Sequence, residues 1–170
     1  GGGAELSASL RVRTLIFGTS YVQGAASAET FRMWAEMTRR VNPGVDIIVI
    51  DSESPGPMPI PGGDPNFFIQ NFGDNIGHLS LNGKDGWGRA FMRGIQQASW
   101  HGYDYVAHIE CDLLFARPVA DVINKMATNG VKAAAPMAMP YQFIETALCF
   151  FSVPYLREID LIGRYDWEHP

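Results

Sequence analysis

Short apolar runs alternate with longer amphipathic segments along the chain. The runs "RTLIFGTS", "VDIIVIDSES" and "DYVAHIECDLLF" are rich in β-branched and aromatic residues, which predicts buried strands. In "SAETFRMWAEMTRRV", "GWGRAFMRGIQQASWHG" and "PVADVINKMATNG", apolar residues recur every three or four positions, which predicts helices. We expect Ser27 to cap the first helix, Asn42-Pro43-Gly44 to end it, and Pro118 to begin the third.

The weaker segments continue this alternation. "FFIQNFG", "VKAAAPMAMP" and "ALCFFSV" predict further strands, and "PYLREIDLIG" predicts a last helix. "SPGPMPIPGGDPN" holds five of the eleven prolines and is expected to be a loop. Strands alternating with helices are typical of an α/β domain, so we predict a mostly parallel central sheet flanked by helices.

The composition fits one folded domain of 170 residues, and we expect residues 1–10 to be a flexible lead-in to a domain over 11–170. The net charge of -5 argues against a nucleic-acid or anionic-membrane partner, since both attract clustered Lys and Arg. No apolar run approaches the roughly 18 residues that a membrane span needs. Two cysteines are too few for a disulfide-stapled secreted fold, so a cytoplasmic protein is expected.

Acidic residues stand at the predicted ends of two strands. Asp51 ends the second strand, while Glu110 and Asp112 follow the run "YVAHI" and, two positions apart, share one face of an extended chain. Ligands of parallel sheets bind beyond the carboxyl ends of the strands. Mg²⁺ and Mn²⁺ take carboxylate and phosphate oxygens, so the pair could hold such an ion with a phosphorylated ligand. It could equally cap the next helix or form ion pairs with Arg117.

These segments resemble, in order, the motifs of GT-A-fold nucleotide-sugar glycosyltransferases. "DYVAHIECDLLF" is similar to their D-x-D segment, and "IIVIDSES" to the second-strand segment that receives the nucleotide base. "NIGHLSLNGKDGWGRAFMRGIQQA" resembles the N-x-G…A-R-N-x-G-x-x-x-A segment, with Phe91 and Met92 in place of Arg-Asn. "ETALCFFSVPYLREIDLIGRYDWE" is similar to the acceptor-side stretch. The resemblance covers residues 14 to 168.

The resemblance implies a single GT-A-like domain, with a nucleotide-binding half over about 11–115 and an acceptor half over about 116–170. It implies transfer of a sugar from a UDP-sugar, with Mn²⁺ or Mg²⁺, to a small-molecule or glycan acceptor. Within the donor site, Asp112 would ligate the metal and Glu110 would hold the ribose or the metal through water. Asp51 would accept from the base. Thr19 and Tyr21 would lie against the nucleotide.

The remaining roles follow the same resemblance. Because Arg is absent at position 91, Arg89 or Arg93, one turn apart on a helix, would supply the phosphate contact. Asp166 and Glu168 would be the catalytic carboxylates that accept the acceptor's proton, with Glu145 as a further candidate. The acceptor half is expected to be C-terminally incomplete, with His169 standing in for the late histidine that often completes the metal site.

Two other functions fit parts of the sequence. "LIFGTSYVQG" and "DWEHP" resemble blocks of SGNH-type esterases, whose triad would be Ser20, Asp166 and His169. Thr precedes Ser20 where that family has Asp, and the acidic pair would have no role. The second alternative is a GT-A-like protein that binds a nucleotide without transferring a sugar. Simpler structural roles also exist: Asp51 could be a helix cap, Tyr21 a core residue, and Trp87 a packing residue.

Overall fold

The computed structural model describes residues 12–72, 85–140 and 143–167, so the expected lead-in over 1–10 lies outside the described residues. Helices separate most of the strands in the first two thirds of the chain, as the sequence predicted. In chain order the elements are β1 (Thr14–Ser20), α1 (Ala25–Val41), β2 (Asp46–Asp51), β3 (Phe67–Asn71), α2 (Asp85–Trp100), β4 (Tyr105–Ile109), α3 (Val119–Thr128), β5 (Ala133–Ala134), β6 (Met137–Ala138), β7 (Phe143–Ile144), β8 (Leu148–Ser152), α4 (Val153–Glu158) and α5 (Leu161–Arg164).

The described strands form a six-stranded sheet in the order β3-β2-β1-β4-β8-β5, with β6 and β7 paired separately. β1 is central and runs parallel to β2 and β4, and β2 runs parallel to β3. β8 is antiparallel to both β4 and β5. The prediction of a mostly parallel α/β sheet is therefore confirmed. The carboxyl ends of β1 to β4 share one edge of the sheet, where parallel sheets bind ligands.

Alternate residues of the strands supply the cores on the two faces of the sheet. Ile16 and Ala107 belong to the core beneath α1 and α3, whereas Phe17 and Val106 belong to the core beneath α2 and α4. This alternation follows from the two-residue period of a strand. Trp34 of α1 is fully buried in the first core. The central strands are thus buried on both faces, as their uninterrupted apolar runs require.

Two helix boundaries differ from the sequence prediction. Ser27 is not the N-cap of α1; the helix begins at Ala25, and the Ser27 hydroxyl instead accepts hydrogen bonds from the backbone N–H groups of Gln23 and Gly24. The single last helix is in fact two, because Asp160 takes a left-handed conformation (φ +50°) between α4 and α5. Within the described ranges no helix is both long and apolar enough to cross a bilayer.

The proline-rich segment after β2 is a loop, as predicted, and Arg39 of α1 fastens its far end. The guanidinium donates to Asp64 Oδ2 (2.5 Å) and to the backbone oxygens of Val45 (2.8 Å) and Asn66 (3.1 Å). Both charged side chains are mostly buried, so this is a charge-assisted contact in a partly dry environment rather than a loose surface pair. It fixes the loop against α1 and the start of β3.

Candidate active site

An open cleft of about 420 Å³ lies where β1 and β4 end beside the first turns of α1. Parallel pairing of β1 with β4 brings the turn after Ser20 next to the acidic segment that follows Ile109. The cleft has hydroxyl, aromatic and carboxylate groups on its walls. The described lining residues are Thr19, Ser20, Tyr21, Val22, Ser27, Thr30, Phe31, Glu110, Cys111 and Asp112.

Gly18 allows the acidic segment to lie this close to β1. A Cβ atom at this position would sit 2.6 Å from Cys111 Sγ, 2.7 Å from Trp34 Cζ2 and 3.0 Å from the backbone oxygen of Ile109. None of these groups is a loose surface chain, because both Cys111 and Trp34 are buried. The glycine in "IFGTS" is therefore a packing requirement of the cleft floor.

The two carboxylates of the cleft have different surroundings. Asp112 is exposed, whereas Glu110 is half-buried and accepts a hydrogen bond from Trp87 Nε1 (2.6 Å). Burial raises the pKa of Glu110, the indole hydrogen bond opposes that rise, and the charges of Asp112 and Glu145 add to it. The negative charges of Asp112 and Glu145 thus act on Glu110 near the end of β4. A bound cation would reduce this repulsion between carboxylates.

Cys111 does not have the surroundings of a nucleophile. Burial raises the pKa of its thiol well above the usual range, and the charges of Asp112 and Glu110 raise it further. The thiol therefore stays protonated, and a protonated thiol is a poor nucleophile and metal ligand. Its role is to fill the space beside Gly18.

The donor groups of the cleft fit a hard cation that takes only part of its ligands from protein. No lysine or arginine occurs among the described lining residues, and the described chain contains no preformed group of three His, Cys, Asp or Glu side chains suited to a metal. Asp112 and the Glu110 oxygen that Trp87 leaves open are carboxylate oxygens, the type of donor that such a cation binds. Mg²⁺ and Mn²⁺ characteristically bind one or two carboxylates and complete their shell with phosphate oxygens and water.

Asp51 lies at the carboxyl end of β2 but is buried rather than open to the cleft. Its carboxylate accepts from Ser54 through the backbone N–H (3.0 Å) and the hydroxyl (2.5 Å), and from Asn71 Nδ2 (3.1 Å). Ser54 in turn accepts from the backbone N–H of Val22 at 2.8 Å. In this structure Asp51 joins the loops after β1, β2 and β3, and its contact with a nucleotide base stays a prediction.

The two candidate phosphate-binding arginines lie on α2, outside the described cleft lining. The Arg93 guanidinium lies over the rings of Phe72 (5.5 Å) and Trp167 (5.8 Å). The Nε atoms of both Arg89 and Arg93 are buried and have no hydrogen-bond partner among the residues that the structure describes. Neither arginine is among the described residues that line the cleft. Their contact with a phosphate stays a prediction.

The candidate catalytic residues at the end of the chain are only partly described. Asp166 is exposed and lies between Tyr165 and Trp167, whose rings contact each other edge to face at 4.8 Å. Tyr165 packs on Gly88 at the start of α2, one residue from Trp87. The C-terminal segment therefore lies near the residue that contacts Glu110. Glu168 and His169 lie outside the described residues, so their catalytic and metal-binding roles stay predictions.

The esterase alternative has Ser20 in the cleft but no described base beside it. Of the histidines within the described ranges, His101 is exposed and contacts Gln97, and His108 is buried with Nδ1 bonded to the Thr146 carbonyl oxygen (2.9 Å). The remaining triad member, His169, is outside the described residues. The triad therefore stays an untested prediction.

Sequence reasoning missed two features of this region, the Trp87 hydrogen bond and the contribution of α1 to the cleft wall. Trp87, interpreted as packing, donates to Glu110; its four-residue spacing from Phe91 was a signal that the two rings would meet on one helix face. Ser27 and Thr30 of α1 line the cleft, and no local sequence pattern predicted their position there. Both depend on neighbours distant in the sequence.

No family model matches this sequence, and no curated protein is similar to it at the sequence level. Solved structures do share its architecture. S. aureus TarS matches with a TM-score of 0.56 and 10% identity, over 87% of this chain and 49% of that chain. Mannosyltransferase PcManGT from Pyrobaculum calidifontis matches with a TM-score of 0.56 and 12% identity, over 89% and 47%. The chain has a GT-A-like fold.

Galactosyltransferase LgtC shares the GT-A-like fold as well, with a TM-score of 0.52 and 11% identity, over 89% of this chain and 66% of that chain. The chain thus spans between about half and two thirds of the length of these proteins. At such identities the likeness establishes the fold alone. The fold that the D-x-D resemblance implied is confirmed.

Proposed function

We propose that the chain forms the donor-binding part of a metal-dependent glycosyltransferase that moves a sugar from a nucleotide-sugar, with UDP as its nucleotide, to an acceptor hydroxyl. One observation carries this proposal: an acidic cleft without a described basic residue lies at the carboxyl ends of β1 and β4 in a GT-A-like fold. A diphosphate would be repelled by Glu110 and Asp112 unless a cation came with it.

The ligands of the similar structures support this choice of substrate. TarS was solved in complex with UDP, PcManGT in complex with GDP-Man and Mn²⁺, and LgtC in complex with donor and acceptor sugar analogs. Those ligands belong to those proteins. They make a nucleotide-sugar and Mn²⁺ the first ligands to test on this chain.

We assign the donor-site roles by position in the cleft. Asp112, exposed at its mouth, is the direct ligand of Mn²⁺ or Mg²⁺. Glu110 contributes its second oxygen to the cation or to the ribose, and Thr19 and Tyr21 contact the nucleotide from the β1 side. The bound cation would neutralise the charge that develops on the departing diphosphate. His169 remains the candidate for completing the metal shell.

The transfer itself breaks the bond between the anomeric carbon and the diphosphate and forms one to the acceptor oxygen. In an inverting transfer a carboxylate must take the acceptor's proton. Asp166 and Glu168 are our candidates for that base. Glu145, whose charge acts on Glu110, is the third.

The first test is calorimetric titration of UDP into the protein with Mn²⁺ and, separately, with EDTA. We expect binding with Mn²⁺ that EDTA abolishes. Asp112→Asn should weaken it by more than the roughly 10- to 100-fold that loss of a mere neighbour of a metal ligand causes. Asp121→Asn, the same change at an exposed helix position outside the described cleft lining, should bind like wild type.

Three outcomes would contradict parts of the proposal. Equal binding by Asp112→Asn and wild type would remove Asp112 from the site. Absence of UDP binding by wild type under both conditions would contradict the UDP-dependent function, and loss of ester hydrolysis in Ser20→Ala would then favour the esterase. Metal-dependent binding with no sugar released from any UDP-sugar would favour a protein that binds a nucleotide without transfer.

A further inference from the structure

A hydrogen bond joins helix α2 to the acidic segment after β4. Trp87, in the first turn of α2, donates from Nε1 to Glu110 Oε1 at 2.6 Å. An N–H donor bonded to a carboxylate is stronger and more directional than a neutral pair. Glu110 is half-buried, so water competes for that oxygen less than it would at the open surface.

The indole is itself held by an aromatic cluster. Its ring stacks on Phe91 with centroids 4.9 Å apart and 20° between planes, and meets His108 edge to face at 5.9 Å. Phe91 also contacts His108 (5.1 Å) and Phe17 (5.5 Å). His108 is anchored by the Thr146 carbonyl oxygen. Trp87 cannot turn its N–H away from Glu110 without losing these contacts.

This restraint acts on a carboxylate whose neighbours repel it. Asp112 and Glu145 both act electrostatically on Glu110. Without the indole, the Glu110 side chain would be free to swing away from them. With Oε1 fixed, Oε2 keeps one direction. A cation or ribose that binds Oε2 then contacts a side chain that folding has already ordered. Binding therefore costs less conformational entropy.

We propose that Trp87 is a positioning residue: its indole N–H holds Glu110 in the orientation that receives the donor and its cation. This inference rests on the proposed function. The residue type and sequence position of Trp87 do not predict this role. The role requires the indole N–H group rather than the aromatic ring alone.

The test is Trp87→Phe, which keeps an aromatic ring over Phe91 and His108 and removes the donor. We expect the Kd of UDP with Mn²⁺, measured by calorimetry at one pH, to rise about 10- to 100-fold, the usual effect of losing a neighbour that orients a ligand. Trp100→Phe, at the exposed end of the same helix, should leave the Kd unchanged.

A double-mutant cycle separates positioning from general packing. If Trp87 acts through Glu110, Trp87→Phe should add little to the loss already caused by Glu110→Ala, so the two effects will not sum. Additive losses would overturn the inference, because they would mean that the ring acts independently of Glu110. Equal binding by wild type and Trp87→Phe would also overturn it, while leaving the proposed function intact. If wild type binds no UDP, the proposed function falls and this inference with it.

A second measurement needs no change at Trp87, should that variant fail to fold. The chain has four tryptophans, whose indole N–H protons give separate NMR signals. Two signals should exchange slowly with solvent in the metal-free wild type, that of the buried Trp34 and that of Trp87. Only the second of these should shift and exchange faster in Glu110→Ala. An unchanged set of indole signals in that variant would overturn the inference.

Discussion

Replacing Gly94 by alanine is expected to lower the free energy of unfolding by about 2 kcal/mol, or roughly 4–8 °C in melting temperature. A Cβ atom at position 94 would lie 2.6 Å from Phe17 Cγ and closer still to Cδ2 and Cε2 of the same ring. Phe17 is fully buried and contacts the rings of Phe91 and His108, so it has no room to retreat. The overlap outweighs the gain of about 1 kcal/mol that alanine normally brings to a helix interior.

The measurement is urea unfolding of wild type, Gly94→Ala and Gly88→Ala. Gly88 lies on the same helix, but a Cβ atom there comes closer than 3.0 Å to one described atom, the Tyr165 hydroxyl oxygen at 2.9 Å, and not to the ring of a residue in the central sheet. We therefore expect Gly88→Ala to be within about 1 kcal/mol of wild type. Equal stability of Gly94→Ala and wild type would contradict the close packing of α2 on β1.

Features of the fold that leave a pattern in neighbouring residues could be predicted from the sequence, and the others could not. Periodicity located every major strand and helix, because burial of a strand face or helix stripe leaves a local pattern. The antiparallel direction of β8 left no such pattern, because the apolar run "ALCFFSV" is compatible with a parallel or an antiparallel strand. The break at Asp160 was missed for a related reason: a left-handed conformation at a non-glycine residue has no strong local signal.

The residues of the candidate site could likewise be predicted from the sequence, but most of their contacts could not. Glu110 and Asp112 were predicted from their place after a strand, and Thr19 and Tyr21 from the family resemblance. The parallel pairing of β1 with β4 brings all four to one cleft. Spacing also put Arg89 and Arg93 on one helix face. It could not show that Arg93 would lie over Phe72 and Trp167.

The hydrogen bonds of Asp51 could not be predicted from its position at the end of a strand. Its position at the carboxyl end of β2 is the one the sequence predicted, yet both of its oxygens are engaged by Ser54 and Asn71. A carboxylate at a strand end can serve a ligand or tie the surrounding loops together. Its partners in the folded chain decide which, and those partners come from the loop after β2 and the end of β3.

The protein should lose stability as the pH falls from about 6.5 towards 4, and His108 should cause a defined part of that loss. Burial beneath Trp87, Phe91 and Phe17 lowers the pKa of His108 from 6.5 to about 4, although the bond to Thr146 opposes the shift. Between these values the unfolded chain binds a proton at His108 and the folded chain does not. Stability therefore falls with decreasing pH, by about 2.5 kcal/mol between pH 7.5 and 4.5.

Glu110 acts in the opposite sense, because its pKa is raised in the folded chain and protonation there favours folding as the pH falls. The His108 contribution is therefore best isolated as a difference from His108→Phe, which keeps an aromatic ring in the cluster and cannot titrate. Urea unfolding of both proteins in EDTA at pH 7.5 and 4.5 measures it. Wild type should lose about 2.5 kcal/mol more than His108→Phe over this interval. Parallel losses in the two proteins would mean that His108 is readily protonated in the folded state, and that the aromatic cluster beneath Glu110 admits water.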